Sequence, residues 1–310
     1  LGYVVNLICN LPYICLLYDL YPDVAVELNV LKPNDLLVKF WEAINRHIWQ
    51  KATRIIVLSP AMKDRIIAKC PQVQDKIVVI HNWADPNWIK PMIKEENWFA
   101  KTHNLTDKFT VLYSGNMGRC HDMDTILQTA ILLRDKPIQF VFIGSGAKRE
   151  YIKQQVAELN LTNCKFLPYQ NKDDLPYSLT SCDLSLVSVL PGMEGIVVPS
   201  KLYPALAAGR PIAVICEPNF DLYNLVVNQA RCGAAFNNGD SEKLADFILD
   251  LANNNELATQ LGQAGRSYLE SHFTPEIIAK QYSQVFFQAL YDECAKSPDK
   301  SFNMTSKITP

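Results

Sequence analysis

From residue 109 onward the chain alternates short apolar runs with helical patterns at a regular spacing. The runs are Phe109–Ser114, Gln139–Ile143, Lys165–Leu167, Leu184–Val187, Ile212–Cys216 and Ala234–Phe236. Helical patterns lie between them, and the series closes with Ser241–Asn253 and Glu256–His272. Continuous hydrophobicity marks strands buried on both faces, and strands separated by helices pair in parallel. The pattern therefore demands an α/β fold, a parallel sheet with helices on both sides. A shorter series precedes it. Tyr13–Leu17, Ala52–Leu58 and Lys76–Ile80 read as strands. Leu36–Lys51 reads as a helix with Leu37, Phe40, Trp41, Ile44 and Ile48 on one stripe, and Ser59-Pro60 caps a helix over Ala61–Lys69.

The length of 310 residues allows two domains. The mixed-charge, proline-punctuated stretch 82–105 is the natural hinge, and Trp83, Trp88 and Trp98 are expected to pack between the domains. A net charge of −2 gives no global basic field for nucleic acid or anionic lipid. Nine cysteines at 9, 15, 70, 120, 164, 182, 216, 232 and 294 form no C-x-x-C, so neither a disulfide framework nor a zinc site is expected and a reducing cytoplasm fits. Residues 3 to 18 are apolar, but Asn6, Asn10 and Pro12 interrupt them. The run is shorter than the ~20 residues of a spanning helix and reads as a helix followed by a strand.

Four places carry chemistry. The first is Gly192–Ile212, a loop, a short helix, a turn and the start of a strand. Pro199 and Ser200 are expected to open the helix, with Ser200 as its cap, and Gly209 to end it in the left-handed conformation. Free N–H groups at Pro199–Leu202, with Lys201 beside them, would receive an anion, phosphate above all. Charge of that sign opposes the helix dipole, so Lys201 has a task other than stability. The second is Gly115-Asn116-Met117-Gly118-Arg119, a strand-to-helix glycine turn that can cradle a phosphate. The third is Gly144-Ser145-Gly146, a similar turn but no dinucleotide fingerprint, since position 149 is Arg. The fourth is Asp19 at the carboxyl end of the first strand, where such sheets face their ligand. Asp122-Met-Asp124 has a metal-binding form, but it opens a helix, where acids act as caps; no metal is expected.

Pro199-Ser200-Lys201-Leu202-Tyr203 with Leu206-Ala207-Ala208-Gly209-Arg210-Pro211 resembles the donor-site segment of glycosyltransferase family 4, in a branch acting on bacterial polysaccharide precursors. The stretch Y-D-L-Y-P-D-V-A from Tyr18 resembles another segment of that branch. In the family's common pattern two glutamates fall in register with Ile196 and Pro204, and Glu194 lies two residues before the first.

The resemblance implies a GT-B fold, two Rossmann-like parallel-sheet domains facing a cleft, the first incomplete. It implies an acceptor-side domain and hinge over 1–98, a donor domain over 99–274, a crossing helix over 275–294 and a disordered tail over 295–310. Because the chain begins at Leu1, about a hundred residues of the first domain are expected to be missing. The implied activity is retaining, metal-independent transfer of a sugar from a nucleoside-diphosphate sugar to a saccharide or polyprenyl-linked acceptor in cell-surface polysaccharide synthesis. No cofactor beyond that co-substrate is implied. Peripheral contact with the inner face of the plasma membrane is a further expectation, and nucleic acid is not. The donor would lie against Gly115, Asn116, Gly118, Arg119, Gly144, Gly146, Tyr169, Pro199, Ser200, Lys201 and Leu202. The family's arginine and lysine positions in the glycine turn fall at Asn116 and His121, so Arg119 takes the lysine-like role. Asp19 is the candidate base, and Glu194 would hold donor sugar hydroxyls or stabilise the cationic sugar. Rival readings are a non-catalytic nucleotide-sugar-binding remnant and a GT-B epimerase.

Overall fold

The computed structural model describes residues 2–9, 11–218 and 220–296. Among these residues nine strands form two all-parallel sheets. The first is β1 (Ile14–Leu17), β2 (Arg54–Val57) and β3 (Ile77–Val79), in the order β1-β2-β3. The second holds β4 (Phe109–Ser114), β5 (Ile138–Ile143), β6 (Cys164–Leu167), β7 (Leu184–Ser188), β8 (Ile212–Ile215) and β9 (Gly233–Phe236). Its order is β6-β5-β4-β7-β8-β9.

Strand periodicity sorts the second sheet's side chains onto two faces. Val111, Tyr113, Phe140, Phe142 and Leu186 pack with Ile126, Leu127, Leu244 and Ile248 of helices Asp124–Leu132 and Ser241–Asn253. Leu112, Val141, Ile143, Val187 and Val214 pack the other way, onto Leu206 and Ala207 of helix Leu202–Ala207 and Leu269 of helix Asn255–His272. All are buried, and each Val, Leu, Ile or Phe among them contributes ~1.5–3 kcal/mol.

Chain order reverses between β4 and β7. There the pairing lasts only through Val111↔Leu184 and Leu112↔Ser185, while β4 stays paired with β5 to Ser114↔Ile143. The two strands therefore part at their carboxyl ends. That crevice is where open parallel sheets bind ligands.

The two sheets are joined by the segment 190–198. Leu20 N–H donates to Ile196 O at 3.0 Å, and Asp19 and Val197 form an antiparallel bridge. Arg65, on helix Pro60–Lys69, donates to Gly192 O at 2.8 Å and to Glu194 O. Gly195, at φ +67°, lies so close to Ala61 that a Cβ would stand 2.6 Å from its carbonyl oxygen. This loop is thus tied down rather than free. The last helix, Pro275–Lys296, returns to the first sheet, where Asp292 pairs with Arg54 of β2. It runs two residues past the expected end at Cys294; the rest of the expected disordered tail, 297–310, lies outside the described residues.

The tryptophans correct an expectation. Trp83, Trp88 and Trp98 are 43%, 37% and 42% exposed, and none is buried between the sheets. Trp98 meets Phe99 and Tyr177, and Trp88 lies under Lys172. No helix among the described residues is long and apolar enough to cross a membrane.

Candidate active site

A cleft of about 600 Å³ opens at the parted ends of β4 and β7. Its walls include Asp19 and Tyr21 from the first sheet's side, Gly115, Asn116, Gly118, Arg119 and His121 after β4, Tyr169 and Gln170 after β6, and Pro199, Ser200 and Lys201. The fold thus gathers into one cavity eight residues expected from sequence in the donor site, together with Asp19.

Lys201 is the centre of it. Its ammonium lies 3.9 Å from the centroid of the buried Tyr113 ring, donates to the Tyr113 hydroxyl, and reaches Asn116 O at 3.3 Å. Burial lowers its pKa to about 7. Its aliphatic stem lies over Gly115, where a Cβ would sit 3.6 Å from Lys201 Cε. His121 stands nearby with its Nδ1 2.7 Å from Ser188 O. A carbonyl can only accept, so the proton of the neutral ring is on Nδ1 and Nε2 is left as an acceptor. Burial, then the Lys201 charge, push the His121 pKa down to about 4. Arg119 is exposed at the cleft and has no ion pair among the described residues. Among the described residues neither cation has an ion pair, and Asp19 is the one carboxylate in the cleft lining, a charge balance that suits an anion.

The entry to helix Leu202–Ala207 corrects the sequence reading. Lys201 occupies the cap position in helical conformation (φ −62°, ψ −17°), and no side chain caps it. A side-chain cap needs an extended backbone, but here the chain enters through a turn at Ser200-Lys201. Ser200 is therefore not the cap, and Pro199 lies ahead of the helix rather than at its first position. The turn consumes the N–H groups of Leu202 and Tyr203, which donate to Pro199 O and Ser200 O at 3.2 and 3.3 Å. Leu202 is buried outside the cleft lining. The Ser200 and Lys201 N–H groups enter no described hydrogen bond and remain for a ligand.

Gly144 and Gly146 also lie outside the lining. Gly115 N–H donates to Ile143 O at 2.9 Å and Met117 N–H to Ser145 O at 2.7 Å, so the two glycine turns stack. At Gly144, φ +129°, a Cβ would stand 2.2 Å from Gly115 O. Its small size lets the second turn support the first.

Glu194 faces elsewhere. It lines a separate small cavity with His81, Tyr203 and Asp221, and its carboxylate accepts the Asp221 N–H at 3.0 Å. Burial raises its pKa. Asp221 in turn accepts the Ala61 N–H at 2.8 Å. The pair joins the two sheets. Asp19 is exposed at the cleft wall, and lost hydration raises its pKa too. Asp122 accepts the Thr125 N–H at 3.0 Å in the first turn of helix Asp124–Leu132, but the cap position is Met123, in helical conformation and without a side-chain cap. No three of the described His, Cys, Asp and Glu residues are grouped to hold a metal ion. Sequence reasoning missed Tyr113 and Tyr21. Tyr113 is the one polar aromatic in an apolar strand, which was the available signal.

Two parallel-sheet units facing one cleft, with the cavity at the second sheet's switch point, make this a GT-B protein. The Anabaena protein Alr3699/HepE, solved in complex with UDP and glucose, superposes with a TM-score of 0.75 at 17% identity over 92% of this chain and 74% of its own. Residues 94–268 match the family described as Glycosyl transferases group 1, and the chain belongs to that family. Among curated relatives, the probable glycosyltransferase WbjE of Pseudomonas aeruginosa is 26% identical over 275 residues, 87% of this chain and 67% of the relative. The putative colanic acid biosynthesis glycosyl transferase WcaI of Escherichia coli K12 is 33% identical over 185 residues, 59% of this chain. That match spans 45% of WcaI, less than half its length.

Proposed function

We propose that the chain transfers a sugar from a nucleoside-diphosphate sugar to a saccharide or polyprenyl-linked acceptor in polysaccharide synthesis, as a retaining, metal-independent enzyme of glycosyltransferase family 4. The observation that carries the reading is Lys201, an ammonium held against Tyr113 and Asn116 on the floor of the cleft with no ion pair among the described residues. A buried cation without a partner is costly unless a ligand supplies the charge. A diphosphate supplies it. HepE, which shares the fold, was solved with UDP and with UDP-glucose, and the names of WbjE and WcaI point to sugar transfer, for WcaI in colanic acid synthesis.

In this reading residues 1–98 serve the acceptor and 99–274 the donor. The diphosphate lies over the Gly115–Gly118 turn, held by Lys201, Arg119 and the N–H groups of Ser200 and Lys201. As the bond to the sugar breaks, negative charge gathers on the leaving oxygen, and these preorganised groups stabilise it. Tyr169, 56% exposed on the cleft wall, offers its ring to the base. The acceptor hydroxyl gives its proton to Asp19, whose raised pKa suits a base, or to the leaving phosphate. Glu194 acts instead through the contact between the sheets, keeping the cleft closed to water.

The test is release of nucleoside diphosphate from a panel of nucleotide sugars, with and without saccharide and lipid-linked acceptors. Acceptor-dependent release, absent in Lys201→Ala, supports the reading. Release by no donor with any acceptor contradicts it.

A further inference from the structure

His121 brings a hydrogen-bond acceptor into a cleft that suits an anion. Three contacts fix it there. Its N–H donates to Gly118 O at 3.2 Å, closing the glycine turn after β4. Its carbonyl accepts the Lys148 ammonium at 2.7 Å. Its ring Nδ1 lies 2.7 Å from Ser188 O, at the end of β7. That carbonyl keeps the proton on Nδ1, since two acceptors at this distance repel. The ring's other edge lies toward the turn: a Cβ on Gly118 would stand 3.6 Å from His121 Cδ2, the atom beside Nε2. In the neutral ring Nε2 holds a lone pair, and phosphate oxygens are acceptors too.

We propose that His121 binds the donor diphosphate as an imidazolium, taking up one proton at Nε2 as the ligand enters, so that Nδ1–H stays on Ser188 O and Nε2–H donates to a phosphate oxygen. This rests on the proposed nucleotide-sugar site and adds to it a charge that is present only when the site is filled. The neutral ring cannot serve both oxygens. Moving its single proton to Nε2 would leave Nδ1 bare against the Ser188 carbonyl, and only the doubly protonated ring donates at both ends. The surrounding charges explain why the proton waits for the ligand. Lys201 faces the ring from the entry to helix Leu202–Ala207, Lys148 from the residue before helix Arg149–Glu158, and Arg119 lies two residues back on the same turn. The Tyr113 ring, 6.2 Å away on β4, is neutral. Asp122, the next residue, is engaged by Thr125 and by Asn238 at 2.7 Å, which leaves Asp19 as the one carboxylate lining the cleft. Burial first, then the Lys201 and Lys148 charges, hold the free ring neutral against the Ser188 hydrogen bond, with a pKa of about 4. A diphosphate reverses that balance, because opposite charge at close range favours the protonated form. The free cleft is thereby spared a further fixed cation beside Lys201.

The experiment is calorimetric titration of UDP-glucose, GDP-mannose, ADP-glucose and dTDP-glucose into the full chain, at about pH 5 and about pH 6.5, in buffers of different ionisation heat, which counts the protons taken up. These diphosphate diesters do not themselves titrate in that range, and Lys201, with a pKa of about 7, is mostly charged across it. Uptake toward one proton per bound ligand is expected at the lower pH, with affinity rising by up to about tenfold per pH unit on acidification. His121→Asn keeps a donor for Ser188 O and deletes Nε2; it is expected to bind the same donor more weakly and to take up no proton in this window. Asp19→Asn, which removes the other titrating group of the cleft, is expected to leave the uptake in place. Nitrogen-15 NMR of the wild-type histidine rings needs no variant: the Nε2 signal of His121 should move from that of a bare nitrogen to that of a protonated one on saturation. Binding without uptake, uptake that His121→Asn retains or Asp19→Asn abolishes, or an Nε2 signal that stays that of a bare nitrogen overturns the proposal and leaves the diphosphate site standing. Binding of none of the four donors defeats the nucleotide-sugar reading and this proposal with it.

Discussion

The Lys201 ammonium lies 3.9 Å from the centroid of the Tyr113 ring and donates to that residue's hydroxyl. The ring face and the hydroxyl oxygen are both weak partners for a full positive charge. They orient the amine without neutralising it. The fold therefore bears a cost at this position that an anionic ligand would remove, as functional sites commonly do.

Replacing the lysine should separate stability from binding. Lys201→Met keeps the stem over Gly115 and deletes the charge. It is expected to raise the melting temperature of the free chain at pH 7 and to weaken diphosphate binding by ~1–3 kcal/mol, the worth of a charged hydrogen bond. Differential scanning calorimetry with and without UDP reads both effects. A variant that loses stability and keeps affinity would show that Lys201 is a packing residue.

The same group sets a pH dependence. Its pKa falls from 10.5 to about 7 on folding. Between those values the unfolded chain binds more protons, so stability from this group rises with pH through that window. Below about pH 7 the lysine is charged in both states and its full cost remains. The stabilisation of Lys201→Met over wild type is therefore largest below pH 7 and closes toward pH 10.5. Diphosphate binding has the opposite trend, because the anion pairs only with the ammonium. Affinity should fall above about pH 7 by up to tenfold per unit, with proton uptake visible as a buffer-dependent heat.

The contact between the sheets gives a further test. Gly195 has φ +67°, and its missing side chain leaves room for the Ala61 carbonyl 2.6 Å from a Cβ position. Gly195→Ala adds that clash and a left-handed alanine, a cost of ~1–2 kcal/mol for the conformation alone. The two sheets should part, with transfer lost and nucleotide binding retained, since Gly195 does not line the cleft. A small-angle scattering profile unchanged from wild type would count against the role given to this contact.

Asp19 separates acceptor chemistry from donor binding. Asp19→Asn preserves shape and removes the base. It is expected to leave UDP affinity unchanged and to lower kcat about 10²–10⁴-fold, the usual worth of general base catalysis. Undiminished turnover would transfer the proton to the leaving phosphate.

The sheets were legible because their strands are unbroken apolar runs. The expected Phe109–Ser114 is the observed β4, and the parallel alternation follows from the helices between strands. Side-chain direction was not legible. Glu194 stands five residues before Pro199, yet Gly195 turns the chain and aims the carboxylate at Asp221 instead of the cleft. Ser200 has the chemistry of a cap, but Lys201 takes a helical conformation and removes the cap position. Gly144 was expected near the donor from the family resemblance; its φ of +129° and the nearby Gly115 carbonyl place it beneath the first glycine turn, outside the cleft lining. The apolar stripe of Leu36–Lys51 was visible, but the sequence could not say that it faces outward.

The central claim is that the cleft around Lys201 binds a nucleoside diphosphate. Calorimetric titration of UDP, GDP, ADP and dTDP into the chain at pH 6.5, repeated with Lys201→Ala, tests it most directly. Saturable binding of at least one of the four is expected, abolished or strongly weakened in the variant. No binding of any of them to a chain folded by circular dichroism, or binding that Lys201→Ala leaves intact, would contradict it.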